Sequence, residues 1–298
     1  MHLRDTLITA IAPIAWGTTY IVTTELLPDG HPLFASLLRA LPAGLIALTL
    51  TRQLPQGAWW WKSLVLGVLN IGAFFPLLFI AAYRLPGGVA ATLGAAQPLI
   101  VAVLIVVILR QSAPWRLVAW GLVGALGVAL VVLRASAQLD TIGLVAGLGG
   151  TAAMALGVIL SKLWGKPPTA SALSYAGWLL TAGGLFLLPI TLLTEGLPGS
   201  LSASAIAGYA WLGIIGGIVA YTLWFRGIRI VPIASLAVLG LLSPLTAALL
   251  GALLLGERFS PLQLLGFTLA LTAIVGAQIP PRKPSVAPVG ERRGGRGQ

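Results

Sequence analysis

Gln97-Pro98 and Ser243-Pro244 stand 146 residues apart, and each sets a polar side chain beside a proline inside an apolar run. A proline in mid-helix has no N–H to donate and pushes away the carbonyl four residues earlier, here at Gly94 and at Gly240. In hydrocarbon a bare carbonyl is costly, so both groups should face a protein interior or a water-filled cavity. Paired breaks in corresponding helices of two halves are the sequence pattern of a transporter's binding site. Pro98 and Pro244 are therefore expected to act as hinges, and Gln97 and Ser243 to line the site.

The other candidates at similar depth are aromatic or neutral. They are Trp16, Thr19 and Tyr20 on a first apolar span, Asn70, Phe74 and Phe75 on a third, and Thr92 ahead of Gln97 on a fourth. The second half offers Trp178 on a seventh span, Tyr221 and Trp224 on an eighth, and Ser235 with Ser243 on a ninth. Rings of this kind pack an apolar body while amide and hydroxyl groups orient a polar end, so the lining suits an amphipathic solute. Arg39 is the one charge placed well inside a span. It could snorkel to the outer interface, attract a carboxylate in the cavity, or serve as a structural charge bound to carbonyls.

What the spans omit narrows the function. They hold no Asp or Glu, the two histidines are His2 and His31, and there is no cysteine. No nucleophile with its base and no set of metal ligands assembles at membrane depth, so neither an enzyme nor a metal or cofactor site is expected. Coupling through a buried carboxylate is disfavoured for the same reason. No glycine-rich turn runs into Gly-Lys-Ser or Gly-Lys-Thr, which argues against direct ATP use and for facilitated diffusion or exchange.

The elements that position these residues follow from hydropathy. The chain has 298 residues, of which 58% are hydrophobic and 8% charged, too apolar for a soluble domain of this size. Apolar runs place ten helical spans near 6–24, 32–51, 63–83, 88–109, 116–133, 141–161, 170–193, 205–225, 234–255 and 262–279. With the N-terminus inside, fourteen of the eighteen basic residues fall on the inner side. Arg84, Arg134 and Arg258 fall outside, and Arg39 lies within a span, so both termini should be cytoplasmic. Residues 66–109 overlay 212–255 without a gap, with thirteen of forty-four positions identical, where composition alone gives about a tenth. Five spans per copy reverse the sense of the second, so two inverted five-helix repeats are expected at 1–136 and 137–279, with a midplane cavity between them. Residues 280–298 should form a disordered cytoplasmic tail. The net charge of +11 is spread between spans rather than gathered on one face, and no nucleic-acid partner is expected.

Trp16-Gly17 in the first span, Arg39 in the second, Pro98 and Pro244 in the fourth and ninth, and Gly256-Glu257 closing the ninth together resemble the drug/metabolite transporter superfamily, EamA type. The resemblance covers about residues 6–279 and is most similar to the YddG kind of bacterial aromatic amino acid exporters. One departure is Arg110-Gln111, where members often close the fourth span with a glutamate. The resemblance implies a bacterial inner-membrane exporter of small metabolites, aromatic or other neutral amino acids foremost, working by alternating access. Its partners would be that small molecule and the lipid bilayer, with a monomer sufficient. The alternatives are a multidrug efflux transporter with a larger, less polar cavity, a passive pore, or a membrane scaffold.

Overall fold

The computed structural model describes residues 3–85, 93–132, 140–254 and 259–278, and these fold into helices without strands. Thr92, the division at 136–137, Gly256-Glu257 and the tail at 280–298 lie outside the described residues. The helices are α1 (Leu3–Leu26), α2 (Pro32–Thr51), α3 (Trp59–Arg84), α4 (Leu93–Leu109), α5 (Trp115–Val132), α6 (Thr141–Trp164), α7 (Ala172–Thr194), α8 (Ala203–Ile230), α9 (Ile233–Leu254) and α10 (Pro261–Gln278). Seven are long and apolar enough to cross a membrane, and α4, α5 and α10 are shorter apolar helices in their described extent. α8 continues to Ile230, so Arg226 and Arg229, expected in a linker, belong to its last turns.

Local chemistry starts these helices where polar residues interrupt the apolar runs. Asp140, Ser171 and Ser202 cap α6, α7 and α8 by accepting the N–H groups of Gly143, Ser174 and Ala205. Ser260 and Gln263 exchange bonds across the first turn of α10, a reciprocal cap for a helix beginning at Pro261. α2 has no cap of its own. Its exposed N–H groups at Leu33 and Phe34 are taken instead by the two oxygens of Glu195, at 2.8 and 2.9 Å, from the end of α7.

Packing pairs the two halves of the sequence. α2 lies along α7 and α5 along α10. The remaining main contacts come in couples that exchange when the halves are exchanged: α3 with α6 and α8 with α1, α7 with α3 and α2 with α8, α4 with α6 and α9 with α1. Polar tethers repeat the theme. Asp5 on α1 meets Arg226 on α8 at 2.6 Å, and Asp140 at the head of α6 meets Arg84 on α3 at 3.5 Å. Arg116 at the start of α5 donates to the Gly276 carbonyl near the end of α10, while Gln263 at the start of α10 donates to the Val131 carbonyl near the end of α5.

The apolar cores do not divide by sequence half. One is built from α1, α2, α3, α7 and α8 with Met154 and Val158 of α6 and Leu236 of α9. The other is built from α4, α5, α9 and α10 with Ala155 and Ile159 of α6 and Ala10 of α1. Each of these cores draws on helices of both halves of the sequence.

Candidate functional site: a cavity at the two helix breaks

Both proline positions coincide with interruptions of their helices. α4 breaks at Ala96 and restarts at Gln97, and α9 breaks at Gly240 and Leu241 and restarts at Leu242. Each proline therefore sits in the first turn of a new segment, where its missing donor costs nothing. Tight i to i+3 bonds bridge the gaps: Leu99 N–H to the Ala96 carbonyl at 3.0 Å, and Ser243 N–H to the Gly240 carbonyl at 3.1 Å. The Gly240 carbonyl, expected to be bare, is thus bonded within its own turn.

A second paired irregularity was not anticipated. α3 contains a π-helical segment at Val68–Ala73 and α8 contains one at Leu212–Val219. A shift of 146 carries Asn70 onto Gly216, inside both segments. A π turn widens the helix and frees a carbonyl from the regular ladder. The Gly216 carbonyl accepts from the Trp16 indole N–H at 3.0 Å and from Arg39 Nη2 at 3.5 Å. The Asn70 carbonyl accepts the Tyr221 hydroxyl at 3.3 Å. Nothing in composition marks a π segment, although glycines at 213, 216 and 217 hint that a neighbour comes close.

A cavity lies at the two breaks, lined by residues of α1, α2, α3, α4, α6, α8 and α9. Of the expected residues, Trp16, Thr19, Tyr20, Phe74, Gln97 and Ser243 line it, together with Pro244 and Arg39. Trp224, Gly94 and Gly240 line it too, as do Leu78 and Ala81 of α3. Gln97 reaches across to the other break, its Oε1 3.3 Å from where a Cβ on Gly240 would stand. Sequence reasoning missed the wall supplied by α6, made of Gly147, Gly150, Thr151 and Met154. Gly147 and Gly150 pack closely against Leu93 and Leu77, and their small size also leaves the room that the cavity occupies.

Three expected lining residues, and Ser235, are placed elsewhere. Trp178 packs edge-on against Tyr175 and at a tilt against Trp59, and donates its N–H to the Gln53 carbonyl at 2.7 Å, tying α7 to the segment that follows α2. The Asn70 amide donates to the Leu66 carbonyl at 2.8 Å and serves the π turn. Tyr221 is wholly buried behind Trp16, with ring centres 5.0 Å apart. Ser235 turns toward α10, bonding the Ala277 carbonyl. Pro98 is buried beside the cavity without lining it.

Arg39 does not snorkel. It is 2% exposed, lies 4.5 Å from the centre of the Phe75 ring, and donates from Nη1 to the Thr19 hydroxyl at 3.3 Å. Both of its hydrogen bonds are at the long limit for N–H donors, and among the described residues no carboxylate pairs with it. A guanidinium so placed is a positive charge in a low dielectric, and among the described residues lining the cavity Arg39 alone is charged.

The sequence matches the model of the EamA-like transporter family twice, over residues 5–133 and 141–277. It is 45% identical to protein PecM of Dickeya dadantii over 278 residues, covering 93% of each chain. It is 27% identical to the inner membrane transporter YedA of Escherichia coli K12, covering 93% of this chain and 92% of that one. A crystal structure of a protein 20% identical in sequence superposes with a TM-score of 0.76 over 93% of this chain and 97% of the other, which shows a shared fold. With its apolar helices and these two family matches, the chain is a multi-pass membrane protein that belongs to the EamA-like transporter family.

Proposed function

We propose that this protein is a secondary transporter that exports small amphipathic metabolites with ring-bearing or otherwise apolar bodies across a bacterial inner membrane. The observation that carries the reading is that both helix breaks, equivalent under a shift of 146, face one cavity walled by Trp16, Tyr20, Phe74 and Trp224. Such a lining holds an apolar body by area and aromatic contact, while Gln97, Ser243 and Arg39 orient its polar end.

Alternating access would proceed by movement of the α4, α5, α9 and α10 body against the rest, with the breaks changing angle. The paired exchange of contacts between halves supports an inverted repeat, since equivalent seams can then open to opposite sides. The excess of basic residues on one side supports cytoplasmic termini. Aromatic and other neutral amino acids belong to the solute class and are the first compounds to measure. Liposomes containing the purified protein should show protein-dependent flux of labelled aromatic solutes, saturable and enhanced by unlabelled solute on the opposite side. Absence of flux for every aromatic and neutral solute would refute the reading.

A further inference from the structure

The only charge among the described residues lining the cavity is the Arg39 guanidinium, and the fully buried polar atoms left without a partner there are nitrogen donors. Among the described residues, Arg39 Nε, Gln97 Nε2 and Trp224 Nε1 are buried with no hydrogen-bond partner, and each belongs to a lining residue. A buried donor without an acceptor is unfavourable, and a buried unpaired cation more so, unless a ligand completes it. Of the hydroxyls nearby, Thr19 accepts from Arg39 and Thr151 donates to the Gly147 carbonyl at 2.8 Å, while Tyr20 and Ser243 offer neutral hydroxyls only. Among the described residues no carboxylate lines the space.

We propose that the cavity is built for an aromatic monoanion, a ring bearing a carboxylate and no ammonium, and that Arg39 is the residue that sets this charge preference. The inference rests on the transporter reading above and narrows its solute class. An anion beside Arg39 satisfies the free Nε and neutralises the guanidinium, and charge-assisted bonds of this type are the strong ones. The Gln97 amide and Trp224 indole supply further donors to acceptor atoms on the same solute. A zwitterionic amino acid brings an ammonium within a few ångströms of its carboxylate, and that ammonium meets a guanidinium and donors, with no acid to receive it. The ring of either compound gains the same contacts with Trp16, Tyr20 and Phe74, so charge alone separates them.

Equilibrium dialysis of the full chain in detergent, with indole-3-acetate, indole-3-acetamide, tryptophan and tryptamine, tests this directly. Indole-3-acetate should bind at least about tenfold more tightly than its amide or than tryptophan, as expected for one charge-assisted hydrogen-bonding site, and tryptamine should bind most weakly. Arg39→Gln should bring the acid and the amide to equal affinity, whereas Arg39→Lys should keep a preference for the acid. If Arg39→Gln fails to fold, the wild-type series decides by itself. Tryptophan binding as tightly as indole-3-acetate, or an acid preference unchanged in folded Arg39→Gln, would overturn the inference and leave the transporter reading standing. Absence of binding by the whole series, together with absence of flux for every aromatic solute, would overturn both.

Discussion

The seam between α4 and α6 and the seam between α9 and α1 occupy equivalent places in the two halves, yet they are in different conditions. On the first, Gly94 faces open space, with no atom within 4 Å of where a Cβ would lie. On the second, Gly240, its counterpart under the shift of 146, already meets the Ala237 carbonyl at 3.2 Å and Gln97 at 3.3 Å. The second seam is shut tightly by Gly17, where an added Cβ would stand 2.6 Å from the Ser243 carbonyl oxygen. The cavity accordingly follows the α6 wall past Gly147, Gly150 and Thr151. Both seams are tight elsewhere, at Gly147 against Leu93 and at Gly17 against Ser243, so the difference lies at the breaks themselves, where Gly94 faces open space and Gly240 is crowded. In the proposed cycle the two breaks exchange these surroundings.

The strongest way to break this comparison is to remove the breaks. Replacing Pro98 and Pro244 together by alanine supplies N–H donors able to reach Gly94 and Gly240 and so lets both helices run continuously. Transport should fall at least about tenfold, equivalent to roughly 1.4 kcal/mol on the barrier, while solute binding and thermal stability hold. A normal rate in the well-folded double variant would reduce the breaks to packing devices.

A subtler test uses the unequal glycines. Gly94→Ala meets nothing in this state and should leave the melting temperature unchanged or raise stability by up to about 1 kcal/mol. Its transport should nonetheless drop severalfold, because in the exchanged state position 94 must take the crowded place that 240 holds now. Gly240→Ala should instead destabilise this state, by about 1–2 kcal/mol for a modest overpacking. Equal behaviour of the two variants in melting would remove the asymmetry on which the comparison rests.

Smaller effects concern what keeps the bodies rigid. Glu195→Ala leaves the first N–H groups of α2 without their acceptor and should cost about 1 kcal/mol, the usual worth of a helix cap. Asp5→Asn breaks the pair with Arg226, which is partly exposed, and should cost no more than about 0.2–1 kcal/mol. Thermal melting in detergent separates these two, and a larger loss for Asp5→Asn would mean that this tether carries more than its exposure allows.

Hydropathy made the helices legible, because an apolar run near twenty residues long has few other fates, and α2 begins and ends where its run does, at Pro32 and Thr51. Proline chemistry made the breaks legible as positions but not as geometry, since the same residue serves a kink or the first turn of a new helix. The sequence was silent on the π segments, whose wider turn follows from packing rather than from any residue type. It could not say which face of α7 carries Trp178, because an indole suits a cavity and a helix contact equally. Arg39 illustrates the same limit: its type predicted a polar partner, and only the fold shows that its partners are Thr19 and the carbonyl freed at Gly216.

The exchange of seams is open to direct measurement because the chain has no cysteine, so a single introduced thiol reports alone. Gly94→Cys and Gly240→Cys, each in sealed vesicles of known orientation, would be treated with a membrane-impermeant thiol reagent with and without transported solute. Position 94 should react from the periplasmic side at rest, position 240 should be protected, and turnover should slow the first while exposing the second from the cytoplasmic side. Reaction of both positions from one side at once, or reactivities that ignore turnover, would contradict alternating access through the two helix breaks.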